Sequence, residues 1–221
     1  MEKRIDMMGT AMTLLPDRAL LLPDHGTLVV ADWHLGKASH FRKAGIFMPA
    51  PPVSGELARL QALLHRHEVT TAVFLGDLFH SDYNSEWLAF ERFRLDNAGI
   101  RFILTRGNHD VLPEELLTRA GLEVEGAHFI TPHIRCAHHP SEKVPADQLL
   151  IAGHVHPGCL IPAKGRQSYR LPCFYLHAQT LLLPAFGLLT GLHLLRPVSG
   201  ATIYPVAGNR VFEWKKTIPA V

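Results

Sequence analysis

Five apolar runs of strand length in this chain each end in residues that ligate metals. TLVVA (27–31) is followed by Asp32-Trp33-His34, and AVFL (72–75) by Gly76-Asp77. IRFIL (100–104) leads, past Thr105 and Arg106, into Gly107-Asn108-His109-Asp110. IRCA (134–137) leads into His138-His139, and LLIA (149–152) into Gly153-His154-Val155-His156. In open α/β sheets, ligands bind beyond the carboxyl ends of the strands. The pattern therefore predicts a fold that delivers these side chains to one edge. In Asp32-x-His34 and His154-x-His156, residues i and i+2 point the same way from an extended chain, so both members of each pair can face one ion. Carboxylate, imidazole and amide oxygen suit manganese, iron or zinc, and the lack of thiolates argues against a structural zinc site. Glycine ahead of Asp77, Asn108 and His154 permits tight turns and close backbone approach. A lone DxH is a common surface pair and a lone GNHD a common turn. Five such fragments in order, each at a strand end, are not accounted for that way.

The rest of the chain supports one layered unit. Strands alternate with helices in the first half: helices are expected near 54–67, 85–97 and 113–120, the first with Leu57, Leu60 and Leu64 on one face. The start reads as a hairpin turning at Asp17-Arg18, and 48–52 (MPAPP) as a loop. After Gly158 the chain reads as strands, near 169–175, 180–183, 202–206 and 210–214. Sheet packed on sheet with helices outside, an α/β sandwich, is the expected architecture. With 221 residues and no linker or repeat, one domain over 1–221 is expected. A net charge of +2 excludes a protein that coats DNA through a strongly basic surface. The three cysteines, Cys136, Cys159 and Cys173, are odd in number and form no CxxC, so neither a disulfide framework nor a thiolate metal site is expected. The charged Met1 to Asp6 start lacks the apolar core of a signal peptide, and the apolar run 180–195 is too short and too interrupted to span a bilayer. The expected location is the cytoplasm, with no membrane association.

The order DxH, GD, GNHD, H, GHxH resembles the calcineurin-type metallophosphoesterase superfamily over residues 27–158. That resemblance implies a four-layer α/β sandwich, two mixed β-sheets flanked by helices, holding two divalent cations. One cation would be held by Asp32, His34, Asp77 and His156, the other by Asp77, Asn108, His138 and His154, with Asp77 shared. Two-metal sites of this kind clamp an in-line displacement. A water acidified between the cations would attack phosphorus, and His109 would stabilise the transition state or protonate the leaving oxygen. Asp110 would orient His109. His138 is preferred over the adjacent His139 because the family's histidine comes directly off the strand. Manganese is the expected metal, with iron or zinc as alternatives.

A narrower resemblance covers nearly the whole chain. VVADWHLGKASHFRKAGIFMP, GDLFHS and LLLPAFGLLTG are similar to the bacterial DNA-ligase-associated metallophosphoesterases, the PdeM-like group assigned to the DNA damage response beside an ATP-dependent DNA ligase and a helicase. The GDLFH segment is also similar to the SbcD-type repair nucleases, which gives His80 a role in substrate phosphate contact or leaving-group handling. Lys37 and Arg42 are candidate contacts to flanking phosphates. The reading that follows is a phosphodiesterase or endonuclease acting on DNA in repair. Only 65 residues follow His156, and they are needed to complete the sheets, so single strands, ends or flaps are expected as substrate rather than long duplex. A small-molecule phosphodiesterase or phosphomonoesterase, for example on cyclic nucleotides, is the second reading. A non-catalytic scaffold of the same fold is the third, disfavoured because every expected ligand is present. The isolated His128, His133, His177 and His193 are given no role.

Overall fold

A strand buried on both faces is apolar throughout, and TLVVA and TAVFL are of this kind. They lie at the centre of the first of two sheets. In the computed structural model, which describes residues 1–37, 41, 45–46, 53–80, 85–141 and 143–214, this sheet has seven strands in chain order. These are β1 (Lys3–Met7), β2 (Thr10–Leu15), β3 (Ala19–Leu22), β4 (Thr27–Ala31), β5 (Thr71–Leu75), β6 (Arg101–Thr105) and β7 (Leu122–Glu125). β1 to β4 form an antiparallel meander, and β4 to β7 run parallel. Parallel neighbours need crossovers. Helices α1 (Val53–Arg66), α2 (Ser85–Asp96) and α3 (Glu114–Arg119) lie in the three crossovers of this sheet.

Period-two alternation divides the buried side chains of this sheet. Leu28, Val30, Ala72, Phe74, Phe102 and Leu104 pack against Leu57, Leu60, Leu63 and Leu64 of α1, Trp87, Phe90 and Phe93 of α2, and Leu117 of α3. Val29, Ala31, Val73, Leu75 and Ile103 face the second sheet. That sheet is built from β8 (His128–Thr131), β9 (Ile134–Ala137), β10 (Leu149–Ala152), β11 (Pro157–Pro162), β12 (Ser168–His177), β13 (Thr180–Leu182), β14 (His193–Leu194), β15 (Thr202–Ala207) and β16 (Arg210–Val211). Its path is β14-β11-β12-β13-β10-β9-β8, with β15 beside β12 and β16 beside β15. Ile134, Cys136, Leu149, Ile151, Phe174, Leu181 and Leu183 complete the layer between the sheets. Its other face carries Ala137, Leu150, Ala152, Cys159, Cys173, Tyr175 and Leu182, with Val144, Leu195 and Trp214 packed on them.

The two-sheet α/β sandwich expected from the sequence is the architecture formed, and among the described residues its α-helices all cover the first sheet. All three cysteines are buried and free. Some strands carry no clear signal in the sequence. Lys3–Met7 reads as a charged terminus, yet it pairs with β2 in register from Lys3↔Leu14 to Met7↔Thr10. An edge strand needs only one apolar face, here Ile5 and Met7, which pack on the inter-sheet core. The loop expected at 48–52 lies outside the described residues.

Candidate metal centre

The loops that leave β4 and β5 stay paired beyond the strands. The Asp32 N–H donates to Gly76 O (3.3 Å), that of His34 to Asp77 O (2.8 Å) and that of Leu35 to Leu78 O (2.9 Å). On the second sheet the Gly153 N–H donates to His138 O (3.1 Å), and the His154 N–H crosses to the Asp32 carboxylate at 2.9 and 3.0 Å. The carboxyl ends of β4, β5, β6, β9 and β10 thus meet at one edge. The ligand pairs do not converge from extended chain, as the i, i+2 spacing suggested. Asp32, His34, Asp77, His154 and His156 all have left-handed backbone, with φ of 49°, 52°, 48°, 67° and 50°. Non-glycine residues held in this region cost about 1–3 kcal/mol each and persist only where their surroundings over-determine them.

The donor atoms fall into two linked sets. Asp32, His34 and His156 form one, with His156 Nε2 3.5 Å from Asp32 Oδ1. Asp77 borders it, its Oδ2 3.7 Å from His34 Nε2. In the other set His138 Nε2 stands 3.6 Å from Asp77 Oδ1, 3.1 Å from Asn108 Oδ1 and 3.2 Å from His154 Nδ1. Asp32, Asp77 and His138 together link the two. His138 Nδ1 donates to Leu75 O at 2.9 Å. That bond fixes the tautomer and leaves the Nε2 lone pair directed at the cluster.

These residues fit divalent cations. Buried polar atoms are normally hydrogen-bonded, yet both ring nitrogens of His34 and Nε2 of His156 have no hydrogen-bond partner among the described residues. Two carboxylates, Asp32 and Asp77, are buried among imidazoles, and among the described residues neither forms a salt bridge to Lys or Arg. Burial first, then the charges of Lys37 and His156, hold the His34 pKa down to about 2, so its imidazole is neutral and free to donate a lone pair. Burial also lowers His154, aided by His139 and His138 and opposed by Asp32 and Asp77.

The other expected residues divide. His109 and Asn108 are exposed at the mouth of the cluster, and the His109 ring lies 5.3 Å from that of His34 and 5.8 Å from that of His80. The His109 N–H also donates to Asp77 Oδ1 at 2.8 Å. His80 stands 5.5 Å from His34, so the three rings share the opening. Lys37 is half-buried beside them. Burial lowers its pKa, and the charge of Asp77 opposes that shift. Arg42 lies outside the described residues. His139 is exposed, its ring 4.3 Å from that of His154, and its ligand nitrogen lies within reach of those of His138 and His154, whereas the buried His138 also reaches Asp32 and Asp77.

Asp110 requires a correction. The resemblance implies that it orients His109, but its buried carboxylate accepts backbone N–H groups instead. Its Oδ2 accepts from Gly107 (2.9 Å), and its Oδ1 from Leu78 (2.9 Å) and Phe79 (3.3 Å). It ties the loop after β6 to the loop after β5. Burial raises its pKa, against the lowering effect of those three bonds.

Two features of the site have only weak signals in the sequence. A Cβ on Gly107 would overlap the backbone nitrogen and carboxylate of Asp77, so only glycine lets these loops touch. The segment Ala185 to Gly187 supports the first loop from below. The Phe186 N–H donates to Ala31 O (2.7 Å), and the Gly187 N–H to Asp32 O (3.3 Å). Gly187 lies so close that a Cβ there would overlap the Trp33 carbonyl. Arg59 holds this segment by donating to Phe186 O and stacking its guanidinium 3.8 Å from the Phe186 ring centre. The PAF-G pattern is visible in the sequence, but nothing local to it names Asp32 as its partner.

Two packed sheets that gather Asp, His and Asn donors on one edge form a candidate metal centre. Comparison with known proteins identifies its class of substrate bond. The calcineurin-like phosphoesterase family model matches residues 26–150, more than half of the chain. Among solved structures, the nuclease MPE of Pseudomonas putida is 30% identical, with a TM-score of 0.79 over 97% of this chain and 100% of that one. YfcE, a phosphoesterase from E. coli, is 12% identical, with a TM-score of 0.45 over 85% of this chain and 97% of that one. No curated protein sequence matches. The chain belongs to the calcineurin-like phosphoesterase family and is a hydrolase acting on phosphoester bonds. The family uses divalent metals, and the clusters around Asp32 and Asp77 are where this chain can hold them.

Proposed function

We propose that the protein is a manganese-dependent phosphodiesterase that cleaves DNA, as an endonuclease on single strands, ends or flaps, in the cytoplasm during repair. The observation that carries this reading is the 30% identity to a nuclease across nearly the whole of both chains. The exposure of His109 and Asn108, which lets a substrate reach the cluster from solvent, supports it. The thiolate-free nitrogen and oxygen donors suit manganese, with iron or zinc as competitors. Asp32, His34, Asp77 and His156 would hold one ion, and Asp77, Asn108, His138 and His154 the other. When bound, such ions supply charge neutralisation at the phosphate and acidify the attacking water. His109 would stabilise the transition state or protonate the leaving oxygen, and His80 would contact the substrate phosphate or handle the leaving group. Lys37 holds a flanking phosphate. Action beside an ATP-dependent DNA ligase and a helicase belongs to this proposal and rests on the resemblance of the DWH, GDLFH and PAFG segments.

The test is to load metal-stripped protein with manganese and offer a generic aryl phosphodiester and end-labelled single-stranded DNA, with His109→Ala alongside. Cleavage of both, lost in the variant, is the expected result. Cleavage of the aryl diester alone would overturn the DNA assignment and favour a small nucleotide as substrate. Failure on both, in protein shown to hold two metals, would refute the proposal.

A further inference from the structure

The charge of this chain is divided along its length. Nineteen of its 20 acidic residues precede Gln148, and the other is Glu213. Residues 1–147 carry 15 Lys and Arg against those 19 acids, a sum of −4. Residues 148–221 carry seven against one, a sum of +6. The near-neutral total conceals a basic half, and that half contributes His154 and His156 to the metal centre.

The register shows where part of this charge stands. Ala152 at the end of β10 pairs with Leu182 of β13, and Leu182 pairs with Tyr175 of β12. Tyr175 is therefore level with the edge from which His154 and His156 follow. β12 continues past that level to Ser168, paired there with β11, which starts at Pro157, the residue after His156. The β11–β12 hairpin thus projects about 20 Å beyond the ligand edge, at roughly 3.3 Å per residue. Phe174 lies in the inter-sheet core, and Cys173 and Tyr175 on the opposite face. By the same alternation Arg170 continues the inter-sheet face, and Leu160, directly opposite it in the ladder, shares that face. Both are exposed, Leu160 at 45%, and Lys164 is exposed in the connecting turn. Neither Arg170 nor Lys164 has an acidic partner among the described residues. No Asp or Glu lies on the hairpin.

We propose that the β11–β12 hairpin guides the nucleic-acid strand beyond the cleaved bond, with Arg170 and Lys164 holding backbone phosphates and Leu160 receiving an unstacked base. Unpaired cations that follow a strand away from a metal centre match a polyanion, and a small phosphate ester would not reach them. An exposed aliphatic side chain beside an arginine suits the open face of a single-stranded base rather than the outside of a duplex. The inference rests on the DNA reading above and extends it to residues outside the metal cluster.

The experiment compares wild type, the Arg170→Ala/Lys164→Ala double variant and Leu160→Ser, each on an end-labelled single-stranded oligonucleotide and on an aryl phosphodiester. The aryl diester rate reports the state of the metal centre, so the readout is the ratio of kcat/KM for the two substrates. In the double variant this ratio falls about tenfold, through KM. The slope of log kcat/KM for the oligonucleotide against log salt becomes shallower by about 1.4, or roughly 0.7 for each lost phosphate contact on a single strand. In Leu160→Ser the ratio falls with the salt slope unchanged. A double variant that keeps both the ratio and the slope of wild type overturns the hairpin's role while leaving the DNA reading in place. Wild type that cleaves the aryl diester but not the oligonucleotide overturns the DNA reading, and this inference with it.

Discussion

Asp110→Ala tests what holds the metal loops together. The Asp110 carboxylate is buried and accepts two short bonds of 2.9 Å, from Gly107 and Leu78, and a longer one of 3.3 Å from Phe79. Removing it leaves the N–H groups of Leu78 and Phe79, both buried residues, without an acceptor, and frees the partly exposed Gly107. An orphaned buried donor costs about 1–3 kcal/mol. Two such donors, with water partly restoring the Gly107 bond, give a loss of about 3 kcal/mol. That is a large share of the roughly 5–15 kcal/mol that holds a typical domain folded. At about 2–4 °C per kcal/mol for a chain of this size, the melting temperature should fall by about 6–12 °C. Because the two loops carry Asp77 and Asn108, the variant should also bind less metal. The assay is thermal unfolding of metal-free protein, followed by metal content per chain after manganese loading and by turnover of an aryl diester. A variant that melts within a degree of wild type and loads metal fully, yet has lost turnover, would refute this reasoning and restore the expectation that Asp110 acts through His109.

Two further outcomes follow from the site and its surroundings. Burial, opposed by Arg59, raises the Glu56 carboxyl to about 7, so the folded protein holds that proton more tightly than the unfolded chain. The associated stability is present in full below about pH 4.5 and is lost as pH rises through 7. Allowing for its partial exposure, Glu56→Gln should stabilise metal-free protein by about 1–2 kcal/mol at pH 8 and leave pH 4 unchanged; equal melting temperatures for variant and wild type at pH 8 would contradict this. His138→Ala should lose bound metal while His139→Ala retains it, read as metal per chain after dialysis, and the opposite ranking would assign the ligand to His139.

The sequence announces what the site is made of more clearly than how it is braced. The clustering of Asp, His and Asn at strand ends is a local signal, and the resemblance to the metallophosphoesterases picks out Asp32, His34, Asp77, Asn108, His138, His154 and His156 from it. The backbone that presents them gives no such signal. Left-handed φ at Asp32 or His156 is set by neighbours far along the chain, and extended geometry is the natural first assumption for DxH. Asp110 shows the same limit. Next to His109 in sequence it looks like that residue's helper, whereas Leu78 and Phe79, its acceptor-seeking partners, lie more than 30 residues earlier. The strap at Ala185–Gly187 is anchored about 150 residues from its partners in the DWH loop. Strand Lys3–Met7 is hard to read from sequence for a related reason: an edge strand needs little apolar content, so its composition resembles that of a free terminus.

That strap has a consequence for the order in which the protein is made. Chains emerge from the ribosome amino end first, so Asp32 and its loop exist long before Phe186 and Gly187 arrive to support them. Until then the Asp32 loop lacks the hydrogen bonds from Phe186 and Gly187, and β13, which pairs with β10, is itself made only a few residues earlier. The ion-binding edge is therefore a late product of synthesis, completed by a segment that contributes no donor to it. A ribosome stalled before residue 186 would present a chain with every proposed ligand already made and no finished place for an ion.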